Sequence, residues 1–178
     1  MPKVHKETLK TRPVVSCTSS IPQVLSTHLA FHLNTVVDQC PGYLKDSRQF
    51  LNDLKNHGHL PPGARHFTAD ATSMYTNIDT DHATCIIGLW LDMPHRKLPK
   101  GFPPKEFILK GLRIVMTNNV FQFGNTFWLQ LNGTAMGTSV ACVYATIYFS
   151  YYEETRLLDP SVDHGILFYR RLIDDAYV

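Results

Sequence analysis

The chain has little of what marks a secreted, metal-clamped or membrane-bound module. Its four cysteines, Cys17, Cys40, Cys85 and Cys142, lie far apart in 178 residues and form no Cys-x-x-Cys pair. That spacing excludes a zinc finger or a disulfide framework and fits reduced thiols in an intracellular protein. No apolar stretch follows Met1-Pro2-Lys3-Val4-His5-Lys6, so no secretory leader is expected. The most apolar run, Ala135 to Tyr152, is interrupted by Thr138, Ser139, Thr146 and Ser150, whereas a spanning helix needs about 20 largely apolar residues. It reads as a buried helix, and no membrane partner is expected. Charge is also scarce: the formal net charge is +2, too small for overall electrostatics to nominate a nucleic-acid partner.

What is present is enough apolar material, 44% of residues, for one packed domain or a large and a small lobe. Helical spacing runs over residues 22 to 39, with Val24, Leu25, Leu29, Leu33, Val36 and Val37 on one face, and Pro41-Gly42 ends it. Asp46 or Ser47 caps a second helix reaching about His57, striped by Phe50, Leu51 and Leu54. A third runs from a Thr80 or Asp81 cap through Trp90. After a Pro-rich surface loop at 93 to 104, a fourth begins at Pro104 and continues to about Thr117, with Phe107, Ile108, Leu112 and Val115 inward. Gly124-Asn125 between two β-rich runs predicts a hairpin. Residues Ala141 to Tyr152 are apolar nearly all round, and Glu153 and Glu154 are expected to end that helix in solvent. His28 and His32 stand four apart with no third ligand nearby and read as face or core histidines. The basic residues cluster, Lys3, His5, Lys6, Lys10 and Arg12 at the N-terminus and Arg170-Arg171 before the acids, and such runs read equally as a solvated face or as a contact for nucleic acid.

The chemistry concentrates on acids at strand ends. Tyr169 to Val178 predicts a strand, a tight turn carrying both Asp174 and Asp175, and a returning strand. Asp70 closes a short strand within His66 to Ala71. If these strands are neighbours, Asp70 and Asp174 converge. Carboxylates 4 Å apart repel by roughly 4 kcal/mol at an effective dielectric near 20, so a site that keeps them ionised calls for a divalent cation. Between them Gln130 to Ser139 forms a Gly-containing loop that opens a long helix at Met136-Gly137, and glycine there lets a backbone approach a ligand.

In this order, DATSMYTNID, QLNGTAMGTSVA and YRRLIDDAYV resemble motifs A, B and C of a reverse transcriptase palm, and the wording is most like the Penelope-like retroelements. The resemblance implies an α+β fold, the fingers and palm of a right-hand polymerase, with the palm an antiparallel sheet backed by helices. Residues 1–64 would be partial fingers and connecting helices, and 65–178 the palm. Because the chain stops three residues after the acids, a fragment with the thumb absent is expected, with few groups to grip a duplex.

The implied activity is RNA-directed DNA polymerisation by two-metal nucleotidyl transfer, with two Mg²⁺ ions, Mn²⁺ as a substitute, and RNA template, DNA primer and dNTPs as partners. Asp70, Asp174 and Asp175 would be the catalytic acids. Asp70 and Asp174 would ligate metal, Ala71 lending its carbonyl, while Asp175 shapes the field. Lys3 and Arg12, in a PK…RPVVS stretch, would meet the triphosphate. Tyr75 would be an aromatic gate against the ribose 2′-hydroxyl, and Gln130 and Gly133 would position template base and nucleotide. The location implied is nuclear or cytoplasmic; oligomeric state is left open. Two departures stand out: Leu172 replaces the aromatic that usually begins the YxDD core, and Ala176 follows the acids, so the hairpin should pack differently. A polymerase with an RNA product is disfavoured by Tyr75. A non-enzymatic remnant or nucleic-acid-binding module of the same fold is the remaining alternative.

Overall fold

Apolar helix faces that cannot be left in water set the architecture. The structure, a computed structural model, describes residues 20–178 and, ahead of them, the backbone of two short paired strands, β1 (Pro2–Lys3) and β2 (Lys10–Thr11). Helices α1 (Pro22–Asn34), α2 (Ser47–His57), the single turn α3 (Met74–Asn77), α4 (Thr80–Leu91), α5 (Lys105–Thr117) and α6 (Ala141–Tyr152) follow. Interleaved with them are β3 (Thr68–Asp70), β4 (Val120–Phe123), β5 (Thr126–Leu129), β6 (Arg170–Leu172) and β7 (Asp175–Tyr177). The fold is α+β, as expected. Helices α1, α4, α5 and α6 pack on one another, and Leu29, Leu33, Trp90, Ile108, Leu112 and Tyr144 are buried completely between them. Each such side chain contributes about 1.5–3 kcal/mol by leaving water. Among the described residues no helix is long and apolar enough to cross a membrane.

The helix ends follow local chemistry. Asp46 caps α2, its Oδ1 accepting the Gln49 N–H at 2.8 Å. Asp79, one residue before the expected cap, does the same for α4 by accepting from the His82 N–H at 2.7 Å. Helix α1 stops at Asn34 rather than 39: Thr35 turns its hydroxyl back to the His32 carbonyl, 2.6 Å away, and Val37–Gln39 forms a separate 3-10 turn. Val24, expected inside, is exposed. Ser26 faces in instead, because its Oγ accepts the Val140 N–H at 3.1 Å. Phe107, Leu51 and Leu54 are likewise more exposed than their spacing predicted, while Phe50 finds partners in the rings of Phe168 and Tyr177. His28 and His32 meet edge to face on α1, and His28 also meets Phe107 in the same way, consistent with face histidines.

Besides the β1-β2 pair, two antiparallel sheets accompany this helical core. Strands β4 and β5 form the expected hairpin, Phe123 opposite Thr126, with Gly124 at φ 61° in the two-residue turn. The second sheet has the order β3-β7-β6. Its β6 begins at Arg170, one residue into the stretch expected to form the hairpin, and its outer edge is paired with residues 42–44: the Arg171 N–H donates to the Gly42 carbonyl at 2.6 Å, and the Leu44 N–H to the Arg171 carbonyl at 3.0 Å.

Candidate active site

Strand register decides which acids meet. In β3 and β7, Asp70 stands directly opposite Asp175, Ala69 opposite Ala176 and Thr68 opposite Tyr177. Side chains alternate along a strand, so Thr68, Asp70, Asp175 and Tyr177 share one face, while Ala69, Ala176 and Arg171 share the other. The expectation that the turn carries both acids is therefore corrected. The turn is Ile173-Asp174, and Asp175 is the first residue of β7. Asp174 sits one step past the opposed pair, where its backbone carbonyl accepts the Ala71 N–H at 3.0 Å. Strands β3 and β7 are thus neighbours, and Asp70, Ala71, Asp174 and Asp175 come to one end of one sheet.

The carboxylates of Asp70 and Asp175 are exposed and that of Asp174 is half-buried; none takes a hydrogen bond or ion pair from another described residue. Among the described residues no group of three or more His, Cys, Asp and Glu is placed to hold a metal ion. The available donors at this edge are all oxygens, the ligand type of a hard cation such as Mg²⁺, which takes one or two carboxylates and completes its shell with water or phosphate. The turn itself is strained: Ile173 adopts φ 58°, a left-handed conformation that costs a side chain with a branched Cβ roughly 1–2 kcal/mol.

Tyr75 lies on α3, five residues beyond Asp70, and is half-buried. Burial raises its hydroxyl pKa, with the Cys142 thiol and the Asp174 carboxylate adding to the shift, so the phenol is neutral beside the acids. The Tyr75 carbonyl accepts the Thr134 N–H at 2.6 Å, and Gly133, at φ 78°, passes so close that an added Cβ would lie 2.7 Å from the Thr76 Cα. Gln130 is held within its own loop, its Nε2 donating to the Asn132 carbonyl at 2.9 Å. Gln130 and Gly133 border a cavity of about 580 Å³ together with Thr76, Asp79 and Asn132; none of the three acids lines it. The helix expected to open at Met136-Gly137 starts at Ala141, since Gly137 turns to φ 118°. Arg12 lies outside the described residues, and of Lys3 the backbone alone is described, in β1.

The residues missed by reading the sequence are those holding the hairpin from behind. Glu153 and Glu154 do not end α6 in solvent. Glu153 is 6% exposed and pairs with Arg171, 5% exposed, on the face of β6 opposite the acids. Arg171 also donates Nη2 to the Thr146 carbonyl at 3.1 Å and Nη1 to the Ile173 carbonyl at 2.8 Å, bracing the turn next to Asp174. The Tyr169 hydroxyl donates to Glu153 at 2.7 Å, and its pKa is raised, first by burial and then by the Glu153 charge. Arg170 reaches the other way, its Nε 2.6 Å from Asp53 on α2. Glu154 gathers Arg96, Trp90 and His95, with Trp90 Nε1 donating at 3.0 Å. Neither arginine is a solvated cation. The available signal was alternation: Arg171 falls on the strand face that Ala69 and Ala176 occupy, the side turned away from the acids.

No protein-family model matches the chain, and no curated protein matches it. Among solved structures it is similar to telomerase from Candida albicans, in a complex with the TWJ fragment of telomeric RNA: TM-score 0.54, 15% identity, with 90% of this chain and 30% of that chain covered. At this identity the likeness is one of fold. The chain spans about 30% of the length of the telomerase chain that it matches.

Proposed function

We propose that the chain is part of an RNA-directed DNA polymerase, a reverse transcriptase most like those of Penelope-like retroelements, and that the Asp70, Asp174 and Asp175 edge is its nucleotidyl-transfer site. One observation carries the reading: strands remote in sequence bring Asp70 opposite Asp175 and next to Asp174, and no cation among the described residues pairs with their carboxylates. The fold shared with telomerase is consistent with it. On this reading residues 1–64 serve as partial fingers and 65–178 as palm.

Asp70 and Asp174, with the Ala71 carbonyl, would hold Mg²⁺ or Mn²⁺. When bound, the metal would supply Lewis-acid activation of a primer 3′-hydroxyl and charge stabilisation at the dNTP triphosphate. Asp175 adds negative potential opposite Asp70 and favours cation retention. Lys3 and Arg12 would neutralise triphosphate charge. The Tyr75 ring would exclude a ribose 2′-hydroxyl by clash, selecting dNTPs. Gln130 and Gly133 would set the loop against which the RNA template base and incoming nucleotide rest. The work would be done in the nucleus or cytoplasm, on an RNA template and a DNA primer.

A second reading, a nucleic-acid-binding module of the same fold without catalysis, is compatible with a likeness to telomerase that is one of fold. Primer extension on an RNA template with dNTPs and Mg²⁺ separates the two, run with this chain and with the longer protein that carries it. Expected is extension that disappears in Asp174→Asn while circular dichroism and template binding are retained. Extension that survives in that variant refutes the catalytic assignment. Template binding with no extension by any version establishes the binding-module reading.

A further inference from the structure

We propose that the Gly133-Thr134 turn is a positioning element for Tyr75 and, through it, a determinant of which nucleotide sugar the site accepts. The sugar part of this inference rests on the reading above; the positioning part rests on geometry alone.

Tyr75 sits on a one-turn helix, and a single turn has no independent stability in water. Its N-terminal residue, Ser73, is in the left-handed region and makes no side-chain cap, so the turn must be held from outside. Burial of Met74 and Ile78 in the core anchors the segment on either side of Tyr75, and two contacts from the loop after β5 act on its backbone. The Thr134 N–H donates to the Tyr75 carbonyl at 2.6 Å. Gly133 lies against the same turn so closely that a Cβ there would meet the Thr76 Cα at 2.7 Å, the Tyr75 carbonyl oxygen at 2.8 Å and the Thr76 carbonyl oxygen at 2.9 Å. All three are backbone atoms. No side chain can swing aside to make room, so the turn carrying Tyr75 would have to move by several tenths of an ångström to restore ordinary contact.

The loop is itself fixed at its other end. The Gln130 N–H donates to the Asn119 carbonyl at 2.9 Å, and the Gln130 side chain closes on Asn132. Thr134 is 1% exposed, and its hydroxyl has no hydrogen-bond partner among the described residues. The loop thus fixes the backbone from which the Tyr75 ring projects, while the ring itself packs against the core. Because a displacement near 1 Å at a reacting centre changes rates by about a hundredfold, a shift of part of that should change sugar discrimination by about tenfold.

The test compares Gly133→Ala with Gly101→Ala. Gly101 has φ 84° and open space around its Cβ position, so that variant carries the same left-handed strain without the clash. Two readouts are taken: the ratio of dNTP to NTP incorporation, and the ring signals of Tyr75 in ¹³C-tyrosine NMR, assigned with Tyr75→Phe. Expected is a fall of about tenfold or more in discrimination and displaced Tyr75 signals in Gly133→Ala, with neither in Gly101→Ala. Folded Gly133→Ala with unmoved ring signals and wild-type discrimination overturns the proposal. Displaced ring signals, with no primer extension by this chain or by the longer protein, uphold the positioning and overturn the polymerase reading, so the two failures differ. Should Gly133→Ala not fold, amide exchange in the wild type decides: a protected Thr134 N–H supports the tether, and one that exchanges at the free rate refutes it.

Discussion

Replacing Glu153 with Gln tests whether the acidic hairpin is braced from the helical core. The variant keeps the shape and an acceptor oxygen but removes the charge that faces Arg171. Those two side chains are 7% and 6% exposed, so the guanidinium would stay in the interior with only neutral partners. Burial alone pulls the Arg171 pKa down; in the native chain the hydrogen bond and charge of Glu153 outweigh it and leave the pKa raised. Breaking a buried pair from one side costs about 3–5 kcal/mol, a third or more of the stability of many domains, about 5–15 kcal/mol. With a urea m-value near 2 kcal/mol/M, the midpoint should fall by about 1.5–2.5 M in denaturation followed by far-UV circular dichroism. Replacing both partners, Arg171→Met with Glu153→Leu, should recover most of the loss, because no charge is then stranded. A single variant that loses less than about 1 kcal/mol, or a double variant no better than the single, would refute the bracing argument.

Ile173→Gly should leave stability unchanged or raise it by up to about 1 kcal/mol, since glycine accepts the left-handed φ of 58° that Ile173 is forced into; a drop beyond 1 kcal/mol in thermal melts would show that the turn is not strained. Burial pushes the Cys40 thiol up to about 12, so at pH 8 a thiol reagent should modify Cys85 and Cys142 and spare Cys40 until urea is added, as read by peptide mass spectrometry. The same shift makes a stability contribution that is complete below about pH 9 and lost as pH rises towards 12, because the unfolded chain gives up the proton first. Cys40→Ala should lack that part of the slope, and an identical slope in both proteins would contradict the assignment.

What was legible in the sequence was local. Asp46 capping α2, Gly124-Asn125 closing a hairpin and the uniformly apolar 141–152 helix each depend on neighbours a few residues away. Asp70 at a strand end beside the Asp174-Asp175 hairpin was also legible, because motif order implied adjacent strands. The register was not: whether Asp174 or Asp175 opposes Asp70 depends on where a turn falls, and Ile173 takes a backbone conformation that its side chain disfavours. Charged residues misled most. Glu153 and Glu154 read as solvated, yet they pair with Arg171 and Arg96 across long sequence distances, and only the fold supplies the partner.

The opposition of Asp70 and Asp175 also has a kinetic meaning. About a hundred residues separate the two, and closing a loop of that length costs about 4 kcal/mol of chain entropy before any contact rewards it. Helices α4, α5 and α6 lie within that loop, and once packed they shorten the effective span to be closed. Pairing this remote is the slow kind, so the acids are expected to meet after the helical core has packed. A chain with its helices formed but β3 undocked has no site at all, so the carboxylate edge registers the completion of folding rather than any step before it.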